Sequence, residues 1–190
     1  MKQRIAIFAS GNGSNFQRIA EYFSANAEIE IAMLYSNNSG AYALKRAANL
    51  NIPAIVFGRE QFYNTSDILN DLYIRQIDWI VLAGFLWLVP TNILHAYEGR
   101  IINIHPALLP KYGGKGMYGM RVHEAIVAAG EAESGITIHL VNEHYDEGKV
   151  VFQARFPLLP GDSAEDVAKK IHELEYEHFP VVIAEILSKK

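Results

Sequence analysis

Short apolar runs alternate with amphipathic stretches over the first hundred residues, and this alternation limits the fold more than any other feature. Arg4 to Ala9, Ile29 to Tyr35, Pro53 to Phe57 and Trp79 to Ala83 read as strands. Ser14 to Ser24, Ala41 to Leu50 and Gln61 to Arg75 read as the helices between them. The first helix carries Phe16, Ile19, Ala20 and Phe23 on one face. Trp79 to Ala83 is apolar at every position, as suits a central parallel strand covered on both sides. A repeated strand–helix unit closes by right-handed crossovers, which predicts a parallel, doubly wound sheet. Pro90 opens a short helix, and Arg100 to Ile104 reads as a fifth strand.

The second half changes character. Pro106 to Gly119 holds two prolines and four glycines and must be a loop. Val122 to Ala129 is helical. Ile136 to Val141 and Val150 to Phe156 read as a hairpin across the polar segment Asn142 to Lys149. Asp162 and Ser163 open a long last helix with Glu165 and Asp166 in its first turn, and Pro180 should kink or restart it. The expected fold is α/β and Rossmann-like: doubly wound, mostly parallel, with an antiparallel C-terminal hairpin.

Composition removes several classes of function. The 190 residues suit a single domain, 1–190. There is no cysteine, so thiolate metal sites, disulfide scaffolds and cysteine nucleophiles are excluded. The seven histidines show no ligand spacing, and no metal is expected. A net charge of −4 argues against a nucleic-acid binder. The apolar stretch from Ile5 is cut short by Gly11-Asn12-Gly13, and the longest apolar run, Trp79 to Val89, is too short to span a bilayer. A cytoplasmic protein with small-molecule partners is expected, with no nucleic acid and no membrane, as a monomer or homodimer.

Two groups of residues carry chemistry. The first is Ser10-Gly11-Asn12-Gly13-Ser14-Asn15-Phe16, between the first strand and the first helix. It is either a plain tight turn or an anion site made of helix N-terminal N–H groups. A dinucleotide is disfavoured, because Phe16 stands where the fingerprint has a third glycine and strand two ends in Tyr35-Ser36-Asn37 without an acid. A phosphate monoester suits the turn better. The second group is Asn103 and His105, which alternation puts on one face at the carboxyl end of strand five. They either cap a turn or act together, the amide and imidazole stabilising an oxyanion while the ring moves a proton. Asp146 lies in the hairpin loop, as a turn residue or as the carboxylate that orients His105.

The stretches Ser10 to Asn15, Leu82-Ala83-Gly84-Phe85, Asn103-Ile104-His105-Pro106-Ala107-Leu108-Leu109-Pro110, Thr137-Ile138-His139 and the Asp146 loop bring a family with them. Nearly end to end, the chain resembles the folate-dependent formyltransferases that act on glycinamide ribonucleotide. The resemblance implies transfer of a formyl group from 10-formyltetrahydrofolate to that ribonucleotide's amine, in purine synthesis. It implies a nucleotide-binding N-terminal half and a folate-binding, catalytic C-terminal half. By position Asn103, His105 and Asp146 match the catalytic trio, and Asn103 and Asp146 also face the formyl donor. Gly13, Ser14 and Asn15 match the phosphate loop, and Glu175 matches a glutamate that holds the ribonucleotide. Leu86, Trp87, Leu88 and Val89 match the segment that contacts the pterin.

Trp87 departs from the family, which often has arginine there, and Arg59 is the nearest candidate for a further family arginine. The glycine-rich loop Lys111 to Val122 is longer than in familiar members, as a cover over substrates or as a simple insertion. Relatives that act on a tRNA-bound methionine or a nucleotide sugar, or that hydrolyse formyl-folate, usually carry another domain, for which this length leaves no room. A rival of another class is a non-catalytic nucleotide-binding module.

Overall fold

The computed structural model describes residues 2–189. In chain order the strands are β1 (Gln3–Phe8), β2 (Ile29–Ser36), β3 (Ala54–Val56), β4 (Trp79–Leu82), β5 (Ile101–His105), β6 (Glu133–Leu140) and β7 (Val150–Pro157). The helices are α1 (Ser14–Phe23), α2 (Tyr42–Asn49), α3 (Asp67–Ile74), α4 (Thr91–Ala96), α5 (Met120–Ala128) and α6 (Ala164–Ser188). The strands form a seven-stranded, mostly parallel sheet in the order β3-β2-β1-β4-β5-β6-β7. The chain forms two compact units, Met1–Ile102 and Asn103–Lys190.

In the first unit β1 pairs in parallel with β2 on one side and β4 on the other, and β2 pairs in parallel with β3. Ile5, Ala6 and Ile7 of β1 are fully buried, and every residue of β4 is buried. A strand covered on both faces needs no alternation, which is why β4 reads as an unbroken apolar run. The buried face of α1 is Phe16, Ile19, Ala20 and Phe23, as the helical spacing predicts.

The single helix expected over Gln61 to Arg75 is two pieces, a π-helical turn at Glu60–Asn64 and then α3. The break falls at Thr65, whose backbone is extended. Its hydroxyl donates to the Gln61 carbonyl at 3.1 Å and accepts from the Asp67 N–H at 3.2 Å. Threonine offers the backbone an alternative to the helical ladder, and here that alternative prevails.

In the second unit β6 and β7 pair antiparallel, with an irregularity between Ile138 and His139. Helix α6 begins with a capping box: the Ser163 hydroxyl accepts from the Asp166 N–H, and the Asp166 carboxylate accepts from the Ser163 N–H at 2.9 Å. The expected interruption at Pro180 does not divide the helix, which runs through to Ser188. Proline removes one ladder bond. Pro180 is itself buried, beside Phe179, Val182 and Ile183 on the packed face, and that burial holds the two halves together.

Candidate active site

In the second unit four side chains converge. Asn103 and His105 come from the carboxyl end of β5, His139 from the end of β6 and Asp146 from the loop between β6 and β7. His105 Nδ1 lies 3.5 Å from Asp146 Oδ2, and its Nε2 lies 2.7 Å from the Tyr112 carbonyl oxygen. A carbonyl only accepts, so Nε2 carries a hydrogen. The Asn103 amide nitrogen is 3.0 Å from His139 Nε2 and 3.4 Å from Asp146 Oδ1. His139 Nδ1 faces the Leu140 carbonyl at 3.2 Å, so Nδ1 carries a hydrogen. The Asp146 carboxylate also accepts the Gly114 N–H at 2.9 Å.

The electrostatics divide unequally. Burial pushes His105 below its ordinary value of 6.5, against the raising pull of Asp146 and of the Tyr112 carbonyl. Burial pushes the Asp146 carboxyl up, but the hydrogen bond from His139, the charge of His105 and the Gly114 N–H together hold it below its ordinary value of 3.8. Asp146 is therefore a carboxylate at neutral pH. It raises His105 without overcoming the cost of burial.

Glycine geometry brings the loop and the hairpin close. A side chain at Gly148 would put its Cβ 1.7 Å from the Leu140 carbonyl oxygen. At Gly113 a Cβ would lie 2.6 Å from Leu109 and 3.1 Å from the Asp146 Cβ. Thr137 anchors the start of the loop. Its hydroxyl donates to the Ala107 carbonyl at 2.7 Å and accepts the Leu109 N–H at 3.0 Å and Gln153 Nε2 at 2.9 Å. The glycine-rich loop is thus part of the cluster through backbone groups of Tyr112 and Gly114. Further along it, Met117 packs against Ala107, Val122 and Ile126.

Glu175, on α6, is 5% exposed and pairs with His172 Nδ1 at 2.9 Å, so it is not a solvated helix glutamate. One residue carries a signal missed by the sequence reading: His139 lies in a matching motif without a role there, although its spacing from Thr137 puts both on one face of β6. His123, which by resemblance matches a family histidine at the start of the helix after the loop, is buried with no hydrogen-bond partner at Nδ1.

In the first unit the glycine turn follows β1. Gly13 takes a left-handed conformation, φ 74°, as the residue before α1, and its carbonyl accepts the Gln17 N–H at 3.0 Å. A Cβ there would lie 2.5 Å from the Ala43 Cβ, so only glycine fits. Ser10 ties the turn to the following segment: its N–H donates to the Gly84 carbonyl at 3.1 Å, and its hydroxyl accepts the Leu86 N–H at 3.0 Å.

Of the four residues from Leu86 to Val89, Leu86 is exposed and Val89 is buried, while the Leu88 carbonyl accepts the Tyr63 hydroxyl at 3.0 Å. Trp87 joins an aromatic cluster with Phe57, Phe62, Tyr63 and Phe85, ring centroids 5.9–6.4 Å away. The Arg59 guanidinium sits over the Trp87 ring at 4.8 Å. Trp87 therefore holds an arginine on its face. Among the described residues no three His, Asp or Glu side chains gather as a metal ion would need.

A buried imidazole with an amide and a carboxylate beside it thus stands at the carboxyl end of a strand in a doubly wound sheet, the edge at which such folds bind ligands. Residues 3–183 match the family described as formyl transferase, and the chain belongs to that family. Its relatives carry a narrower name. The phosphoribosylglycinamide formyltransferase of Haemophilus influenzae is 39% identical over 186 residues, covering 95% of this chain and 85% of that protein. The chloroplastic phosphoribosylglycinamide formyltransferase of Vigna unguiculata is 36% identical over 194 residues, and this chain spans 62% of its length. The crystal structure of the Streptococcus pneumoniae phosphoribosylglycinamide formyltransferase superposes with a TM-score of 0.86 at 38% identity, covering 98% of this chain and 99% of that one. The Anaplasma phagocytophilum enzyme of that name gives a TM-score of 0.90 at 32% identity, with coverage of 100% and 89%.

Proposed function

We propose that this chain transfers the formyl group of 10-formyltetrahydrofolate to the amine of glycinamide ribonucleotide, a step of purine biosynthesis. The observation that carries the reading is the convergence of Asn103, His105 and Asp146, drawn from two separate elements, in a chain similar over nearly its whole length to enzymes named for this reaction. In this reading Gly13, Ser14 and Asn15 take the substrate phosphate, Glu175 takes the ribonucleotide, and Leu86 to Val89 take the pterin. Residues 1–190 act as one catalytic domain.

The chemistry follows from the cluster. The substrate amine attacks the formyl carbon, a C–N bond forms, and the carbonyl electrons move onto oxygen. The amide of Asn103 and the Nε2–H of His105 stabilise that oxyanion. Collapse breaks the bond from the formyl carbon to the folate nitrogen. The proton lost by the attacking amine goes to that nitrogen, with Asp146 assisting through His105.

Both ring nitrogens of His105 are engaged before substrate binds, one by Asp146 and one by the Tyr112 carbonyl. The Tyr112 contact is the one to exchange, because the three residues from Gly113 include two glycines that let the backbone turn. An Asn103 N–H likewise leaves His139 or Asp146 for the formyl oxygen. Purified protein supplied with both substrates should deformylate the folate only when the ribonucleotide is present. Deformylation without it would mark a hydrolase, and no turnover at all would overturn the reading.

A further inference from the structure

We propose that Arg46 is the positioning residue of the glycine turn: it locks the turn into its anion-binding form and thereby sets affinity for the phosphate-bearing substrate. The inference rests on the reading of Gly13 to Asn15 as the phosphate loop. It is carried by where the carbonyls of the turn point. Three successive carbonyls are each held by the segment that follows β2. Asn38 Nδ2 donates to the Ser10 carbonyl at 3.1 Å, the Ala43 N–H to the Gly11 carbonyl at 3.1 Å, and Arg46 Nε to the Asn12 carbonyl at 2.9 Å. A trans peptide points its N–H opposite to its C=O. Holding these three carbonyls on one side turns the N–H groups of Gly11, Asn12 and Gly13 to the other. Left-handed Gly13 then leads into the N–H groups at the start of α1. Successive N–H groups in such a turn form an anion-binding concavity.

Of these three ties, Arg46 holds the turn most completely. Its Nη2 donates to Asn12 Oδ1 at 2.7 Å, and its Nη1 donates to Gln17 Oε1 in the first turn of α1. Gln17 is steadied in turn by a 2.6 Å hydrogen bond from its amide to Glu21. One planar guanidinium thus fixes both the last residue before the left-handed glycine and the helix that follows it. Its guanidinium also lies over the Tyr42 ring, the carbon 5.0 Å from the ring centroid. The partners it binds are a carbonyl and two side-chain amide oxygens, all neutral. Among the described residues no carboxylate pairs with Arg46, so its positive charge remains to favour an anion held by the turn. Lysine could supply the charge but not the three-way fork.

The test is the full chain carrying Arg46→Met, with Arg46→Lys beside it. Arg46→Met should raise KM for glycinamide ribonucleotide about tenfold while kcat stays within about threefold and KM for the formyl donor does not move, since charge-assisted hydrogen bonds of the substrate-binding turn are lost. Arg46→Lys should recover part of the loss. A second arm is independent of turnover. Titrating the wild-type chain with inorganic phosphate should shift the amide NMR signals of Gly13, Ser14 and Asn15 saturably, and the Met variant should need about tenfold more phosphate. If the wild type binds phosphate there but moves no formyl group, the proposed reaction fails and this inference stands. Three results would overturn the inference: equal phosphate midpoints in wild type and Met variant, no shifts at those amides, or losses spread equally over kcat and both KM values.

Discussion

At the scale of single residues, His105 is the most exactingly placed group. It is 4% exposed, and burial and Asp146 push its protonation in opposite directions. Replacing it with alanine should lower kcat about a thousandfold, the loss of both an oxyanion partner and a proton carrier. Circular dichroism should show the fold retained, and near-normal turnover would point to a binding module rather than an enzyme. Asp146→Asn tests the electrostatic account separately. The carboxylate raises His105, so its removal should move the ring's titration, followed by NMR, further below the ordinary histidine value. A rise would contradict the assignment.

Asn103 and His105 were legible in the sequence because strand alternation alone puts them on one face. Tyr112 and Gly114 were not, because they act through a carbonyl and an N–H that every residue has. His139 lay between. Its motif was visible, but its contact with Asn103 depends on how β6 sits beside β5.

At the scale of elements, local signals succeed where one interaction dominates. The α6 start was legible because the serine and the acid three residues on satisfy each other's backbone groups. Ser163→Ala should cost about 1 kcal/mol, measurable as a shift in the urea midpoint. The break at Thr65 and the continuity through Pro180 were not legible, because each is decided by a competitor of the local rule: a hydroxyl in one case, burial in the other. The β6–β7 hairpin depends on close backbone approach. Gly148→Ala would place a methyl group inside the Leu140 carbonyl and should cost more than about 3 kcal/mol in chemical denaturation. A variant as stable as the wild type would mean that the hairpin can open there without penalty.

At the scale of the whole molecule, titrating groups add. Asp71 feels burial pushing it up, yet the hydrogen bonds from Arg75 and Tyr35 hold it low. Asp162 is held low mainly by Lys170, and Asp166 by Ser163. A group depressed in the folded state binds fewer protons than it does unfolded, so its contribution is present above the unfolded value and lost as pH falls. His105 and His123 are both depressed by burial and act in the same direction below 6.5. His172, raised by its hydrogen bond to Glu175, acts oppositely and contributes below 6.5. The depressed groups outnumber it. The urea midpoint should therefore fall as pH drops from about 6.5, and fall faster below about 4 as the carboxylates protonate. A flat profile over that range would contradict the balance.

The order of strands and helices, the buried face of α1, the glycine turn and the pairing of Asn103 with His105 follow from the chain itself. Each depends on periods and steric limits that act over a few residues. The meeting of Asp146 with His105, the grip of Arg46 on Asn12, the seating of Arg59 over Trp87 and the burial of Glu175 were decided only by tertiary structure. Each joins residues separated along the chain, or hides one of them, through packing that no local pattern records.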